Sequence, residues 1–314
     1  MPLYMRILLD CRTLSTDPPE AEKRLLVSTF AALLTRKRGV EWLFVVDKRY
    51  PDVLPQPNGR SLTAGRWKPG RAGGGLWARW EWSRIVKKVQ PGLTMRMEEL
   101  LLVPGAADDL YRPLANEEKE AVKMRYADGK EYFLSDVSGA RAEEIVELLK
   151  AFSLFKKRQR SNLQLVLRSA GAVRGQGISL RDKLITYKYR SDVHLSEEPD
   201  GQAWRELVAA AYAFLLPSDK EGRGQGLAIF NAWKTGTPVI SGDAACLQRA
   251  GGSAALYARQ GDPASMAALL MSLYTNESLR AEMIGKGLDR LRSFDWERSA
   301  EQVWEGILRA ANQQ

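Results

Sequence analysis

Residues 217–241 read PSDKEGRGQGLAIFNAWKTGTPVIS. A Gly-rich turn follows an apolar run and opens a helical one. Backbone N–H groups at such a turn, and the positive end of the helix behind it, suit a phosphate. Glu221 supplies a carboxylate beside Gly222, Gly224 and Gly226. Asn231, on the helical run that follows, supplies an amide able to bond a hydroxyl. The chemistry within reach is the holding of a phosphorylated ligand. A carboxylate that merely caps the following helix is an equal reading of Glu221. Asn231 could equally face a neighbouring element.

Other chemistries are thinly supplied. Cys11 and Cys246 are far apart in strand or loop contexts, which argues against a disulfide scaffold and a zinc site. The single His194 ends a strand-like run and reads as a packed or surface side chain; no metal site is expected. The stretch VRGQG at 173–177 has arginine and glycine but reads as a loop.

These residues need a scaffold. The 314 residues suffice for two domains, and 45% hydrophobic with 27% charged residues is a globular composition. Met5–Asp10 and residues 41–47 read as strands around a helix at 22–36. Residues 55–75, rich in Pro, Gly and Arg, read as a loop. Residues 76–89 carry Trp77, Trp80 and Trp82 at helical spacing, and residues 99–104 read as a further strand. A connecting helix is expected at 117–126, then strands at 132–137, 163–167, 212–216 and 238–241. Helices are expected at 142–158 and 227–234, with three more at 264–273, 278–291 and 295–311. Strands alternating with helices predict a doubly wound parallel sheet, clear from about 130 to 292, with only two or three strands before it.

The net charge of +9 and pI near 9.5 have three readings. Solvated surface comes first, then attraction to an anionic membrane surface or to phosphorylated ligands. Nucleic acid comes last, because no motif or basic–aromatic interleaving accompanies the charge. The cluster at 156–160 sits at a helix end, where cations favour the dipole. No apolar run reaches 18 residues and no signal-peptide pattern opens the chain, so a cytoplasmic location is expected, at most peripheral to the inner membrane face.

Residues 131–304 resemble, segment by segment, the C-terminal domain of retaining GT-B glycosyltransferases of family 4, the group 1 glycosyltransferases. LLKAFSLFKKRQRSNLQLVL, TYKYRSDVHL, AYAFLLPSDKEG, GTPVIS, AGGSAALY, GDP and FDWERSAE match it in order and spacing. MRILLDCRTLSTD resembles the family's first strand and loop. The resemblance implies a nucleotide-sugar held in the C-terminal domain, its diphosphate bound by a basic pair and helix N-termini. One Glu lies by the donor sugar and a second holds the ribose. The N-terminal domain takes the acceptor, and transfer proceeds with retention and without a metal ion. It places Glu221 in the catalytic position, with Arg141, Lys183, Gly222, Gly224, Gly226 and Asn231 as donor contacts.

Four departures touch the site. The basic pair falls on Ala142 and Glu143, leaving Arg141 as a single cation one position away. The second Glu is Asn231, which lacks the charge of a strong ribose acceptor. The N-terminal Gly-rich loop has become PPEAEKR at 18–24. The chain also passes from KKVQPG to ELLLVPG without the βα units that the family places between.

The expected architecture is therefore α/β and GT-B-like. A reduced Rossmann-like domain spans 1–115, a doubly wound nucleotide-sugar-binding-like domain 116–294, and a last helix 295–314. The leading functional expectation is a non-catalytic partner or regulator of glycan or surface polysaccharide assembly, a pseudoenzyme without cofactor. It would retain at most a UDP-, GDP- or ADP-sugar as ligand, and would bind a protein partner or a second copy, with the Trp-rich helix as a candidate surface. An active retaining hexosyltransferase acting on a glycan or lipid-linked acceptor is the alternative. An unrelated nucleic-acid or anionic-membrane module is the third.

Overall fold

The computed structural model describes residues 5–11, 20–36, 39–47, 59–64, 74–96, 110–138, 140–169, 180–197, 201–216 and 225–311. The chain divides into two units, Met1–Gly105 with Phe294–Gln314, and Ala106–Ser293.

In the first unit, β1 (Met5–Asp10), β2 (Val40–Asp47), β3 (Gly59–Ala64) and β4 (Leu93–Arg96) form a parallel sheet in the order β3-β2-β1-β4. This corrects the expectation of two or three strands and of a loop throughout 55–75. The sequence GRSLTA has one large apolar residue, so no periodicity marks β3. Six residue pairs with β2, from Trp42↔Gly59 to Asp47↔Ala64, hold it instead. The strand-like run at 99–104 lies outside the described residues.

Alternation divides β1 and β2 between two faces. Ile7, Leu9, Trp42, Phe44 and Val46 pack with Phe30, Leu33 and Leu34 of α1 (Glu20–Arg36). Ala300, Val303 and Ile307 of the last helix, α11 (Trp296–Ala311), complete this layer. Trp304 sets its ring 6.1 Å from that of Trp42. On the opposite face, Leu8, Leu43 and Val45 meet Trp82, Ile85, Val86 and Val89 of α2 (Gly74–Val89). The described part of the Trp-rich helix thus packs on its own sheet; the side chains of Trp77 and Trp80 lie outside the described set. Burial pushes the Cys11 thiol far above its ordinary range, with Asp10 adding to the effect, which leaves it a poor nucleophile.

The second unit is a six-stranded parallel sheet. Its strands are β5 (Tyr132–Asp136), β6 (Gln164–Arg168), β7 (Val193–Ser196), β8 (Ala213–Leu216), β9 (Val239–Gly242) and β10 (Leu256–Ala258). They lie in the order β10-β9-β8-β5-β6-β7. Counted from β5 as the first strand, this is the 3-2-1-4-5-6 order of a doubly wound dinucleotide fold, with its topological switch point between β5 and β8.

The helices are α3 (Asn116–Ala127), α4 (Ala142–Gln159), α5 (Leu180–Ile185), α6 (Gln202–Ala210), α7 (Gln225–Lys234), α8 (Ala245–Gly251), α9 (Pro263–Thr275) and α10 (Glu277–Leu291). The apolar spacing in α4 buries Ile145, Leu148, Leu149, Phe152 and Phe155 against β5, β6 and α9. Among the described residues, no helix is long and apolar enough to cross a membrane.

At the start of α3, Arg112 hydrogen-bonds both carboxylate oxygens of Glu118, at 2.6 and 3.0 Å. The Ala115 N–H donates to the same group at 2.8 Å. The guanidinium first, then the N–H, hold the Glu118 carboxyl down at about 2 from an ordinary 4.5. Because the folded value is depressed, this contribution is whole above pH 4.5 and fades as pH falls toward 2. A carboxyl titration by NMR should find the Glu118 midpoint near the lower end of that window, and Arg112→Gln should move it up. An unchanged midpoint in Arg112→Gln would count against the pair.

Candidate functional site

In doubly wound sheets, ligands bind outside the carboxyl ends of the strands at the switch point. Here β5 and β8 are neighbours, β5 followed by α4 and β8 by the segment that precedes α7 in sequence. Glu221, Gly222 and Gly224 belong to that second segment and lie outside the described residues, as does the side chain of Lys183 on α5. Gly226, the second residue of α7, is buried. Asn231 is 7% exposed and lies six residues into α7, about 9 Å along its axis. It is packed within the unit rather than presented at the helix opening.

The GTPVI run has a purely structural account. α7 stops at Gly236, whose φ of 78° is left-handed, the conformation of a glycine helix stop. The Thr237 hydroxyl donates to the Val208 carbonyl at 2.8 Å, and Val239 begins β9.

The first turn of α4 is the part of the site shown in most detail. Arg141 is its N-cap residue, in extended conformation. Its N–H donates to Glu144 Oε2 at 3.0 Å, and its guanidinium donates to Glu144 Oε1 at 3.1 Å from Nε and 2.6 Å from Nη2. Glu144 is buried and Glu143 is exposed beside it. Two carboxylates therefore occupy the positive end of this helix, where a diphosphate would need cations and open N–H groups. By charge alone Arg141 is a stand-in phosphate cation; its i,i+3 spacing to Glu144, that of a capping box, is the sequence signal of the pairing seen here.

A second polar arrangement spans the ends of β5 and β6, whose register sets Asp136 opposite Arg168. Arg168 is 4% exposed, and its Nη1 donates to Asp136 Oδ2 at 2.6 Å. Its guanidinium also lies 4.5 Å from the Trp204 ring centroid. Asp136 Oδ1 accepts from the Ser138 N–H at 2.9 Å. This pair fixes the turn that carries the chain from β5 to Arg141. A polar residue closing each of two apolar strands was its only sequence signal.

His194, on β7, lies 3.1 Å from Gln164 Oε1 across the β6–β7 pair. Among the described residues, no group of His, Cys, Asp and Glu is arranged to hold a metal ion.

The fold defines the class. The chain aligns along 96% of its length with WaaG, a glycosyltransferase involved in lipopolysaccharide biosynthesis, at a TM-score of 0.61 and 11% identity, covering 99% of that chain. It aligns along 97% with Anabaena HepE in complex with UDP, at a TM-score of 0.66 and 12% identity, covering all of that chain. At these identities the likeness is one of fold, and that fold is GT-B. Residues 132–276 match the family model for group 1 glycosyl transferases. Over 97 residues it is 32% identical to the Escherichia coli O-antigen chain mannosyltransferase B. That match spans 31% of this chain and a quarter of the length of the relative.

Proposed function

We propose that this glycosyltransferase-like protein acts as a non-catalytic partner or regulator in the assembly of a glycan or surface polysaccharide. The observation that carries this reading is the self-capped N-terminus of α4, where Glu144 engages the Arg141 guanidinium and Glu143 adds a second negative charge. A nucleoside diphosphate placed there meets repulsion and an occupied cation. The relatives' roles, in O-antigen and lipopolysaccharide synthesis, supply the setting.

The test is thermal unfolding with UDP-, GDP- and ADP-sugars. A ligand at about one hundred times its Kd stabilises by about 2.7 kcal/mol, a shift of several degrees. No shift is expected here. The variant Glu143→Lys with Glu144→Gln restores a basic helix start and is expected to gain nucleotide-dependent stabilisation. A shift in the unsubstituted protein would overturn the reading.

One observation favours active transfer instead. The switch point between β5 and β8 is kept, with α4 following the first strand and α7 the second. In that reading Glu221 lies by the donor sugar. Arg141, Lys183, Gly222, Gly224, Gly226 and Asn231 contact the donor, and no metal takes part. Donor hydrolysis that disappears in Glu221→Ala would establish it.

A further inference from the structure

Strand β7 closes one side of the second unit's sheet, and among the described residues only β6 pairs with it. The Ser169 N–H donates to the Ser196 carbonyl, which fixes the direction of the whole ladder. In a parallel pair, backbone groups alternate between the two sides. Ser196 and His194 therefore bond toward β6, and the N–H and C=O of Leu195 and the C=O of Val193 turn outward. The Val193 N–H is taken by the Arg190 carbonyl.

An open groove of about 550 Å³ runs along this edge. Arg125 and Tyr126 of α3 line it with His194 and Ser196, whose register with Val166 and Arg168 puts them on one face of the sheet. Val193 and Leu195, on the other face, line it with Arg181, Leu184 and Ile185 of α5, and Arg190 stands nearby. The groove thus straddles the sheet edge, with one helix beside each face.

Its chemistry is mixed. Ile185 is 63% exposed, an apolar side chain without cover among the described residues. Arg181 forms an exposed pair with Glu197 at 2.8 Å, and Arg190 donates to the Ile185 carbonyl at 3.0 Å. Arg125 lies over the Tyr126 ring at 5.0 Å. Among the described residues, the guanidinium groups of Arg181 and Arg190 stand at the groove with His194; Glu197 pairs with Arg181, Asp128 lies 3.8 Å from His194, and the Asp192 carboxylate is taken by Lys156.

We propose that this groove binds an extended, acidic segment of a partner protein, which adds to β7 as a further strand. Backbone pairing with Leu195 and Val193 supplies register and affinity. Alternate side chains of the incoming strand then reach the two walls. Carboxylates meet Arg181 and Arg190, the exposed Glu197 pair being exchanged for the incoming one, and apolar side chains cover Leu184 and Ile185. The inference takes up the partner role proposed above and gives that partner a chemistry. The groove and the start of α4 are read by different ligands, so either reading can fail alone.

The experiment titrates a short labelled peptide alternating glutamate and valine into the full chain, followed by fluorescence anisotropy. Three comparisons accompany it: the same peptide with lysine for glutamate, the same peptide N-methylated at alternate amides, and anionic phospholipid vesicles. Saturable binding of the acidic peptide is expected, weakened at least about tenfold by N-methylation and by Arg181→Gln with Arg190→Gln, and abolished in the lysine peptide. Equal binding of the N-methylated peptide removes the strand-addition step and overturns the proposal. So does binding that ignores the arginine substitutions, an absence of peptide binding, or vesicle binding through these arginines without peptide binding. The peptide comparisons use the unsubstituted protein and stand even where the variant misfolds.

Discussion

Deleting Phe294–Gln314 is expected to unfold the first unit and leave the second folded. α11 lies after the second unit in sequence, yet its apolar stripe completes the layer formed by Phe30, Leu33, Leu34, Trp42 and Phe44. Val303 is 2% exposed and Ile307 fully buried. Burying each contributes about 1.5–3 kcal/mol, and the Trp304–Trp42 contact adds about 0.5–1.5 kcal/mol. Together with Ala300 this is a large share of the roughly 5–15 kcal/mol by which a domain is stable. The ion pair between Arg36 and Glu297 also joins α1 to α11, but it is exposed and contributes little. The point variant Ile307→Ala should cost about 2–5 kcal/mol. Urea unfolding followed by tryptophan fluorescence and by circular dichroism reads both variants. The deletion should remove one transition, and Ile307→Ala should move it to lower urea. Two transitions at unchanged midpoints in the deleted protein would show that α11 is dispensable.

The second large effect is expected at Gly287, where α10 crosses α7. A Cβ on Gly287 would stand 2.4 Å from Cδ1 and 2.6 Å from Cγ of Trp233. That indole is 1% exposed and stacks on Phe230 at 5.6 Å, so it has little room to give. Gly287→Ala gains about 1 kcal/mol in helix propensity, but overpacking a tight core costs about 1–3 kcal/mol. The net result should be destabilising, and Gly287→Leu more so. Gly285, two residues earlier, is exposed and has no atom within 4 Å of its would-be Cβ. Gly285→Ala should therefore stabilise by about 0.5–1 kcal/mol. Opposite signs at two glycines of one helix isolate packing from propensity. Equal stabilisation by both substitutions would refute the contact. The site is coupled to this result, because the displaced helix is the one that carries Gly226 and Asn231.

What the sequence discloses depends on how local the cause is. α4 was legible because Ile145, Leu148, Leu149, Phe152 and Phe155 repeat at helical spacing and all are buried. The central strands were legible because a strand covered on both faces reads as an apolar run, as β6 and β8 do. β3 was not, since GRSLTA is strand only by virtue of its partner β2. The short helices α5 and α6 also passed unremarked, the first being six residues long. At the site, the distinction lies between counting cations and knowing their partners. Arg141 was visible as a charge, but its engagement by Glu144 is a matter of geometry. Asp136 and Arg168 are joined only by the register of two strands, 32 residues apart. Glu221, Gly222 and Gly224 lie outside the described residues and rest on the Gly-rich turn and the resemblance.

The placement of α11 also orders events during synthesis. The second unit is continuous in sequence and can close once Ser293 has emerged. The first unit has its sheet strands by Gly105, yet the layer beneath Trp42 and Phe44 waits for Val303 and Ile307. At about 5–20 residues per second, that interval lasts roughly 10–40 seconds. The nascent chain is therefore expected to mature in reverse, later unit first, with the part of the Trp42 face that Trp304 covers left open for that interval.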